Sequence, residues 1–545
     1  MLANETMTRA DHVARADKAY DVVVIGSGAG GATLAQRLAQ TGKSILMLER
    51  GEHLPVEPDN WSPREVFLRH KYKANERWRD RKGRYFQPNI HYWVGGNTIF
   101  YGAALYRFRK NDFEETVHHG GKVSPAWPIS YDDLADYYTE AEILWNVHGK
   151  RGSDATDDAF APPYPHPPMT HDPEIKALKG RLELQGLHPF EMPIGAERDD
   201  SNVPESKCIR CRTCGGFPCL RQAKADGRKM VSRALAQRNV ELVTGAKVLR
   251  LETAPGGSSV SAVVYETAEG ERRVKADIVV LAAGAINSAA ILLRSANTDH
   301  PHGLANGSDQ VGRNYMFHTA SASLSFAWPK IDTNFPKTMA INDFYWGDPD
   351  GSFSYPMGHI QGLEYLSGDV IRGQLSQTMP AWMIPKPFAE FMGDRLLAFL
   401  ILTEDLPEAR NRVRLDADGG IRIDYWYNNL KAHDRLIRRF HRAMKKAGRT
   451  CRCLRANRQQ MDSILPLYGT AHQCGTLKMG HDPKHSVVDA DCKAHELDNL
   501  YVADTSPFVS SAAVNPALTC IANSLRVADK IAQRLGANAA QPVTA

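Results

Sequence analysis

The first clear pattern along the chain is a strand, a glycine-rich turn and a helix. An apolar, β-branched run at 20–25 (YDVVVI) predicts a strand that is buried on both faces. The glycine-rich segment 26–31 (GSGAGG) follows directly, and 33–41 (TLAQRLAQT) has the pattern of a helix. A second apolar strand at 44–48 ends in Glu49. This order is typical of a parallel α/β domain that binds a dinucleotide.

Each residue of this motif has a physical role in dinucleotide binding. Gly26 permits a tight turn, Gly28 lets backbone N–H groups approach a pyrophosphate, and Gly31 lets the helix pack closely on the strand. The phosphates are expected at the helix N-terminus, where unpaired N–H groups favour anions. Glu49 is placed to accept hydrogen bonds from ribose hydroxyls, which favours an unphosphorylated ribose. The motif therefore predicts FAD or NAD without distinguishing between them.

Further motifs lie far apart in the rest of the chain. They are 94–103 (VGGNTIFYGA), 127–134 (WPISYDDL), 283–293 (AGAINSAAILL), 311–314 (VGRN), 472–480 (HQCGTLKMG), 499–506 (NLYVADTS) and 515–519 (NPALT). In this order, and over nearly the whole chain, they resemble the glucose–methanol–choline (GMC) oxidoreductase family. The resemblance implies FAD as the cofactor, a two-part fold and oxidation of an alcohol carbon.

The resemblance also implies how the chain is divided. It implies an α/β fold in which a Rossmann-like FAD-binding domain is joined to a discontinuous substrate domain built on an antiparallel sheet. The FAD-binding domain is expected to gather residues 15–110, 205–320 and 480–535. The substrate-binding domain is expected to gather residues 111–204 and 321–479.

Two residues match the catalytic positions of the family. His472 matches the active-site histidine, and Asn515 matches a second position that is His in some members and Asn in others. Hydride leaves a CH–OH carbon more easily when a base takes the hydroxyl proton, and the unperturbed pKa of histidine lies nearest neutrality. We therefore expect His472 to be the base, and Asn515, whose amide cannot take a proton, to orient the alcohol. The alternatives are a structural His472 and an Asn515 that caps the helix beginning after Pro516.

The resemblance further implies which residues contact the cofactor. Asp504 follows the strand NLYVA and is expected near the ribityl and pyrophosphate groups. Phe100 stands where some members attach FAD through a histidine, so we predict non-covalent FAD. The expected cofactor-binding residues are Gly26, Gly28, Gly31, Glu49, Gly95, Gly96, Asn97, Thr98, Gly102, Val248, Ala283, Asp504, Asn515 and Pro516.

Four of the nine cysteines crowd into twelve residues with the spacing C-x2-C-x2-C-x4-C: Cys208, Cys211, Cys214 and Cys219. Bacterial iron–sulfur runs are similar, but they space the last cysteine one residue closer and place Pro after it. Some GMC dehydrogenases are similar in carrying a cysteine-bound cluster at this point of the chain, which passes electrons from flavin to an outside acceptor. Three interpretations stay open: an iron–sulfur cluster, a zinc site of four thiolates, and a loop without metal.

Composition excludes several classes of protein. Lys and Arg (67) nearly balance Asp and Glu (62), and no basic stripe accompanies the cysteines, so no nucleic-acid partner is expected. The longest strongly apolar stretch, Ile278–Ala285, is far shorter than the roughly 20 residues of a membrane span. The first twenty residues lack a secretory pattern, and the cysteine distribution fits a reducing compartment. We expect a cytoplasmic protein without a membrane span.

The substrate is less clearly indicated than the reaction. Aromatic residues in the expected substrate region are either stacking surfaces for sugars, with His359 as a hydrogen-bonding partner for hydroxyls, or ordinary core residues. They are Phe344, Tyr345, Trp346, Tyr355, Tyr365 and Trp382. The expected partners are a small-molecule alcohol, sugar or amino sugar and O2 or another electron acceptor. The oligomeric state is not indicated.

Three alternatives to a simple FAD-dependent alcohol oxidase or dehydrogenase remain. The first is a sugar dehydrogenase in which an iron–sulfur cluster passes electrons to an external acceptor. The second is a lyase that binds FAD without redox turnover. The third is an electron-transfer flavoprotein built around the cysteines, in which His472 and Asn515 would be dispensable.

Overall fold

The computed structural model describes residues 18–375, 380–453, 465–469 and 471–538. Two large sheets organise this part of the chain, one of seven strands that is mainly parallel and one of six strands that is antiparallel. Helices cover both sheets, so the fold is mixed α/β, as the sequence predicted. The helices are Ala29–Ala39, Asp132–Leu144, Pro173–Glu183, Gly227–Leu235, Ala285–Arg294, Gly368–Leu375, Lys386–Gly393, Leu430–Lys446 and Ala517–Arg534.

The seven-stranded sheet contains the N-terminal motif at its centre. Its spatial order is Val240–Val243, Ile45–Leu48, Ala19–Ile25, Gly270–Leu281, Val260–Thr267 and Lys247–Thr253. The C-terminal half of Gly270–Leu281 also pairs in parallel with Leu500–Val502. Strands from three distant parts of the chain therefore end at one edge of the sheet, beside the glycine-rich turn.

The first strand and helix form much as predicted, with one shift. The helix begins at Ala29 and ends at Ala39, whereas the sequence pattern predicted residues 33–41. Because Gly28 is already the N-cap, Gly30 and Gly31 belong to the helix and not to a preceding loop. A Cβ on Gly31 would lie 2.2 Å from the carbonyl oxygen of Gly26, so the close packing predicted for this glycine is present.

The six-stranded sheet supplies a wall of the cleft described below. Its spatial order is Thr450–Cys453, Thr319–Phe326, Leu396–Thr403, His359–Gly362, Met339–Ile341 and Phe190–Glu191, and every neighbouring pair is antiparallel. Alternate residues face opposite sides. One face packs against the helix Leu430–Lys446 through Phe399 and Phe440. The other face, which includes Ala320 and Leu400, is turned towards the cleft.

Three small sheets complete the structure. A four-stranded sheet has the order Arg412–Leu415, Ile421–Asp424, Trp78–Asp80 and Tyr85–Phe86. Two antiparallel pairs are Thr116–His118 with Lys122–Ser124, which form a hairpin, and Val147–His148 with Ile194–Gly195. The four-stranded sheet joins segments that the sequence assigned to different domains, and the two-part division stays a prediction. None of the helices in the described residues is long and apolar enough to cross a membrane.

Candidate active site

A cleft of about 700 Å³ lies between the glycine-rich turn and the six-stranded sheet. Most residues that the sequence predicted for the site line this cleft, although they come from distant segments. They are Gly26, Gly28, Glu49, Gly96, Asn97, Thr98, Gly102, Val248, Ala283, Asp504, His472, Asn515 and Pro516. Gly31 and Gly95 are not among the lining residues, because Gly31 packs against Gly26 and Ala282, and Gly95 packs against Gly227 and Arg228.

The glycine-rich turn forms one end of the cleft. Gly28 has ordinary φ and ψ angles of −70° and −163°, and a Cβ added to it would meet no atom within 4 Å. The space in front of Gly28 is therefore open, next to the unpaired N–H groups at the start of the helix Ala29–Ala39. This cradle suits an anionic group such as a pyrophosphate.

Glu49 lines the cleft at the end of the second strand, but its carboxylate already has partners. Oε2 accepts hydrogen bonds from the backbone N–H (3.0 Å) and the hydroxyl (2.5 Å) of Ser27, and Oε1 accepts one from the Gly51 N–H (2.8 Å). Burial raises the pKa of the Glu49 carboxyl. A carboxylate has room for about four hydrogen bonds, so one acceptor position remains for a ribose hydroxyl.

Asp504 connects two chain segments beneath the middle of the cleft. Its Oδ2 accepts hydrogen bonds from the Gly284 N–H (2.9 Å) and the Ser288 hydroxyl (2.6 Å). Its Oδ1 accepts from the Ser506 N–H at 2.7 Å. Burial raises the pKa of this carboxyl. Asp504 thus holds the start of the helix Ala285–Arg294 against the end of the strand Leu500–Val502.

The segment 94–103 forms the floor of the cleft, and its side chains brace one another. The Thr98 hydroxyl donates to the Gly95 carbonyl (2.5 Å) and accepts from the Gly227 N–H (2.8 Å). The Asn97 side chain accepts from the His91 N–H at 2.9 Å. These contacts leave the backbone of the segment, rather than the side chains of Asn97 and Thr98, to face a ligand.

The two predicted catalytic residues meet at the opposite end of the cleft. Asn515 Nδ2 lies 3.3 Å from Nε2 of His472, with a geometry in which the amide donates. Asn515 Oδ1 is buried and accepts no hydrogen bond within the part of the chain that the structure describes. Asn515 does not cap the helix Ala517–Arg534, whose N-cap is Pro516. The amide is therefore available to a group in the cleft.

A second histidine, which the sequence analysis did not identify, completes the cluster. His318 is fully buried, and its Nδ1 lies 3.0 Å from Nδ1 of His472. Its Nε2 lies 3.0 Å from the carbonyl oxygen of Ser511. Burial lowers the pKa of His472 to about 3 and that of His318 to about 4. Both rings are neutral around pH 7, so one ring nitrogen of His472 carries a free lone pair, and burial makes this nitrogen a weaker base than a free imidazole.

Comparison with known proteins identifies the chain. The GMC oxidoreductase family models match residues 93–320 and 407–524, and a model of NAD(P)-binding Rossmann-like domains matches residues 24–75. The 6'''-hydroxyparomomycin C oxidase of Streptomyces lividus is 32% identical over 97% of this chain and 94% of its own length. The chain belongs to the GMC oxidoreductase family. It is therefore an oxidoreductase that acts on CH–OH groups, and its family and Rossmann-like domain imply FAD binding.

Other GMC oxidoreductases agree with this result. The paromamine 6'-oxidase of Streptomyces fradiae is 31% identical over 95% of this chain and 92% of its own length. The crystal structure of a pyridoxine 4-oxidase from Mesorbium loti superimposes with a TM-score of 0.66. It covers 94% of this chain and 99% of the other at 19% identity, which is evidence for the fold alone. The predicted family and the predicted α/β fold with a Rossmann-like domain are confirmed.

The aromatic residues predicted as sugar-stacking surfaces of this GMC oxidoreductase are mostly elsewhere. Tyr365 lines the cleft. Tyr345 is buried and its hydroxyl donates to Asp112, whereas Trp382 is 79% exposed. His359 is buried, with its ring nitrogens 2.7 Å from Asn342 Oδ1 and 3.0 Å from Gln361 Oε1. His359 therefore positions Gln361, which lines the cleft, and does not itself face a substrate.

Charged residues that sequence reasoning missed lie where the cleft meets the cysteine loop. Glu364 lines the cleft and accepts a hydrogen bond from Nζ of Lys337 at 3.3 Å, and Lys337 also donates to the Gly102 carbonyl at 2.5 Å. No motif surrounds Glu364 or Lys337 in the sequence, and only the pairing of the strands brings them together. The Lys337 ammonium already pairs with this carboxylate, so an ammonium group of a substrate would have to share Glu364 with Lys337.

The four clustered cysteines lie beside the cleft rather than in it. All four are free thiols and line one small cavity of about 30 Å³. Lys224 is 3% exposed, and its Nζ donates to the carbonyls of Cys214 (2.7 Å), Phe217 (2.9 Å) and Tyr101 (2.9 Å). Within the described ranges, no group of three or more His, Cys, Asp or Glu side chains is arranged to hold a metal ion. Lys224 joins the cysteine loop to the segment 94–103.

Proposed function

We propose that this GMC oxidoreductase oxidises a primary or secondary alcohol of an amino sugar or related polyol, with His472 as the base. The observation that supports this most strongly is the position of His472: neutral, at the cleft, and next to an amide whose oxygen has no hydrogen-bond partner among the described residues. The substrate class is supported by Glu364 in the cleft and by the two oxidases named for paromomycin and paromamine compounds.

The residues present fit FAD. The open space at Gly28 accommodates the pyrophosphate, Glu49 retains an acceptor for a ribose hydroxyl, and the backbone of 94–103 faces the centre of the cleft. Bound FAD would supply the hydride acceptor. We propose that it is held non-covalently, since Phe100 offers no nucleophile at the expected attachment position. Acid-precipitated protein should release its flavin to the supernatant, and flavin retained in the pellet would refute this.

The protein residues have distinct tasks in the reaction. Nε2 of His472 takes the hydroxyl proton as hydride leaves the carbon, which prevents a positive charge from building up there. The Asn515 amide holds the alcohol by a hydrogen bond and keeps the C–H bond directed at the hydride acceptor. The apolar face of the six-stranded sheet, through residues such as Leu400 and Leu402, excludes water from the reacting atoms.

Substitution of the base tests the proposal. His472→Ala should lower kcat about 10²–10⁴-fold, the usual scale for losing a positioned base, with FAD content unchanged. A matched control is His433→Gln, because His433 is also buried and neutral, and in the described part of the chain its ring bonds the hydroxyls of Ser321 and Thr403. The activity of each variant should be measured with paromamine, pyridoxine and a small diol as substrates. Full activity of His472→Ala with bound FAD would overturn the assignment.

The same measurements separate the alternatives of another class. A lyase would convert substrate without bleaching the flavin under anaerobic conditions. An electron-transfer flavoprotein would keep substrate-linked turnover in a His472→Ala, Asn515→Ala double variant. Bleaching of the flavin by an alcohol, lost in that double variant, would exclude both.

The electron acceptor is tied to the cysteine loop, where an iron–sulfur cluster that passes electrons to an external acceptor stays a hypothesis. Cys208, Cys211, Cys214 and Cys219 line one cavity of about 30 Å³, which has room for about one water molecule. In the described residues no three of these thiols are arranged to hold a metal ion, so their geometry does not support the cluster. Zinc and a metal-free loop remain the competing interpretations. An absorbance spectrum of anaerobically purified protein, with iron and zinc analysis, distinguishes the three. Flavin bands alone would favour O2 or a two-electron acceptor.

The division of the chain into two domains, which the family resemblance implies, stays a proposal. Residues 15–110, 205–320 and 480–535 would hold FAD, and 111–204 with 321–479 would hold the substrate, although residues 15–17, 376–379, 454–464 and 470 lie outside the described residues. The strands Trp78–Asp80 and Tyr85–Phe86 then form a bridge between the two parts. The cytoplasmic location stays a prediction.

A further inference from the structure

We propose that His318 is a positioning residue that fixes the tautomer of His472, so that the Nε2 lone pair of His472 faces Asn515 and the cleft. This inference rests on the proposed role of His472 as the base. His318 does not touch the alcohol in this account. It acts through the ring of His472.

The backbone brings the two histidines together. Met316 and Cys474 form an antiparallel bridge, in which the Met316 N–H donates to the Cys474 carbonyl (3.0 Å) and the Cys474 N–H donates to the Met316 carbonyl (2.9 Å). In such a bridge, the residue two positions after one partner lies opposite the residue two positions before the other. His318 and His472 occupy those positions, 154 residues apart in the chain.

The hydrogen bonds set the direction of every donor in the cluster. The Ser511 carbonyl can only accept, so the Nε2 of His318 must carry a hydrogen. Because a neutral imidazole carries one N–H, the Nδ1 of His318 is an acceptor, and the Nδ1 of His472 must donate to it. The Nε2 of His472 is then unprotonated. It accepts from Asn515 Nδ2 until a substrate hydroxyl arrives.

The Ser511 carbonyl, at which this series of hydrogen bonds begins, is itself held in place. The Ser511 hydroxyl donates to the Asp405 carbonyl (3.1 Å) and accepts from the Asp405 N–H (3.0 Å). His318 also has a φ of +74°, in the left-handed region that non-glycine residues rarely adopt. Backbone strain of this kind persists where the surroundings hold a side chain in one place. Both observations indicate that the orientation of the His318 ring is tightly specified.

The experiment compares two substitutions of His318 with a matched control. His318→Leu removes the acceptor for the His472 Nδ1–H, so either tautomer of His472 becomes available. We expect kcat to fall about 10–100-fold, as for other groups that orient a functional imidazole, with KM changed less than threefold. His318→Gln should restore kcat to within about fivefold of the wild type, because an amide offers one acceptor and one donor. His433→Leu should leave kcat within about twofold.

A second readout does not depend on activity. Nitrogen NMR of histidine-labelled holoenzyme should show the Nε2 of His472 as the unprotonated nitrogen, in a signal assigned by its loss in His472→Gln. In His318→Leu this signal should broaden or shift towards the protonated form, and in His318→Gln it should stay. If His318→Leu fails to fold, the spectra of the wild type and of His318→Gln still test the inference.

The outcomes separate this inference from the proposed function. If His472→Ala retains full kcat, the proposed function fails. If His472→Ala is impaired, but folded and FAD-loaded His318→Leu keeps kcat within twofold of the wild type, then His318 has no positioning role. Equal losses in His318→Leu and His318→Gln, or in His318→Leu and His433→Leu, would also overturn the inference, as would a protonated Nε2 in the wild type.

Discussion

The two ends of the cleft are built in different ways. The cofactor end consists of the turn 26–31, Glu49 and the segment 94–103, and the geometry of the turn itself is determined by neighbours in the sequence. The catalytic end consists of His318, His472 and Asn515, which three separate segments bring together. This difference shows that a local motif can form a phosphate-binding turn by itself. The tautomer of His472, by contrast, depends on the pairing of two segments that are far apart in the sequence.

The two ends also bury opposite kinds of titratable group. Glu49 and Asp504 are carboxyls whose pKa values are raised by burial. The histidines of the catalytic end and of the sheet beside it have pKa values lowered to about 3 or 4 by burial, namely His318, His359, His433 and His472. Acid should therefore act on the two ends in opposite directions, which is the basis of the first prediction.

The largest expected effect is the loss of stability in acid. The folded protein keeps the four histidines neutral, whereas the unfolded chain binds protons as the pH falls below about 6.5. Stability that is fully present above pH 6.5 should be lost towards pH 4, by on the order of 2–3 kcal/mol for each histidine at pH 4.5. The raised carboxyl pKa values have the opposite sign, since they favour the folded state as the pH falls. The Tm of the holoenzyme from pH 7.5 to 4.5 measures this.

The control for the acid effect is His433→Gln, which removes one of the four histidines at a position that does not line the cleft. When this variant unfolds in acid, it should take up one proton fewer than the wild type. Its free energy of unfolding should therefore depend less steeply on pH between 6.5 and 4.5. A wild-type Tm that stays flat over this range would contradict the account of the catalytic end.

The next effect contrasts two glycines at the cofactor end. A Cβ on Gly31 would lie 2.2 Å from the Gly26 carbonyl, so Gly31→Ala should destabilise the protein by about 3 kcal/mol or more. A Cβ on Gly28 would project into open space, so Gly28→Ala should fold normally and lose affinity for FAD. Tm and FAD titration measure the two effects. Normal FAD affinity in Gly28→Ala would show that the pyrophosphate does not lie in this cradle.

The smallest predicted effect concerns substrate choice where the cleft meets the cysteine loop. Glu364→Gln removes a negative charge from the cleft, so KM for a cationic amino sugar such as paromamine should rise about tenfold. KM for a neutral diol should change less than twofold, because no ammonium group is lost from the contact. Steady-state kinetics with both substrates provides the comparison. Equal changes in the two KM values would remove Glu364 from the proposed ammonium site.

The cofactor end could be predicted from the sequence more fully than the catalytic end. The strand, turn and acid of the cofactor end were predicted because adjacent residues determine them, with an error of four residues at the start of the helix. His472 and Asn515 were found only through the resemblance of their motifs to a family. His318 was missed because the pairing of Met316 with Cys474 sets its position, and no local pattern reports that register.

Burial was the other property that composition and periodicity did not reveal. The stretch 152–170 has neither helix nor strand, yet its Asp154 is buried and accepts a hydrogen bond from Arg109 at 2.6 Å. Tyr345 and His359 have aromatic character that suits a sugar site, but their hydrogen bonds hold other side chains in the core. Residue type alone did not distinguish these two outcomes.

The most direct test of the central claim is the rate at which an alcohol bleaches the flavin under anaerobic conditions, measured by stopped flow on FAD-loaded enzyme. The wild type should be bleached by an accepted substrate in a single turnover. His472→Ala should bind the same FAD and substrate but bleach at least 100-fold more slowly, because no base takes the hydroxyl proton. Bleaching of the His472→Ala enzyme at the wild-type rate would contradict the account.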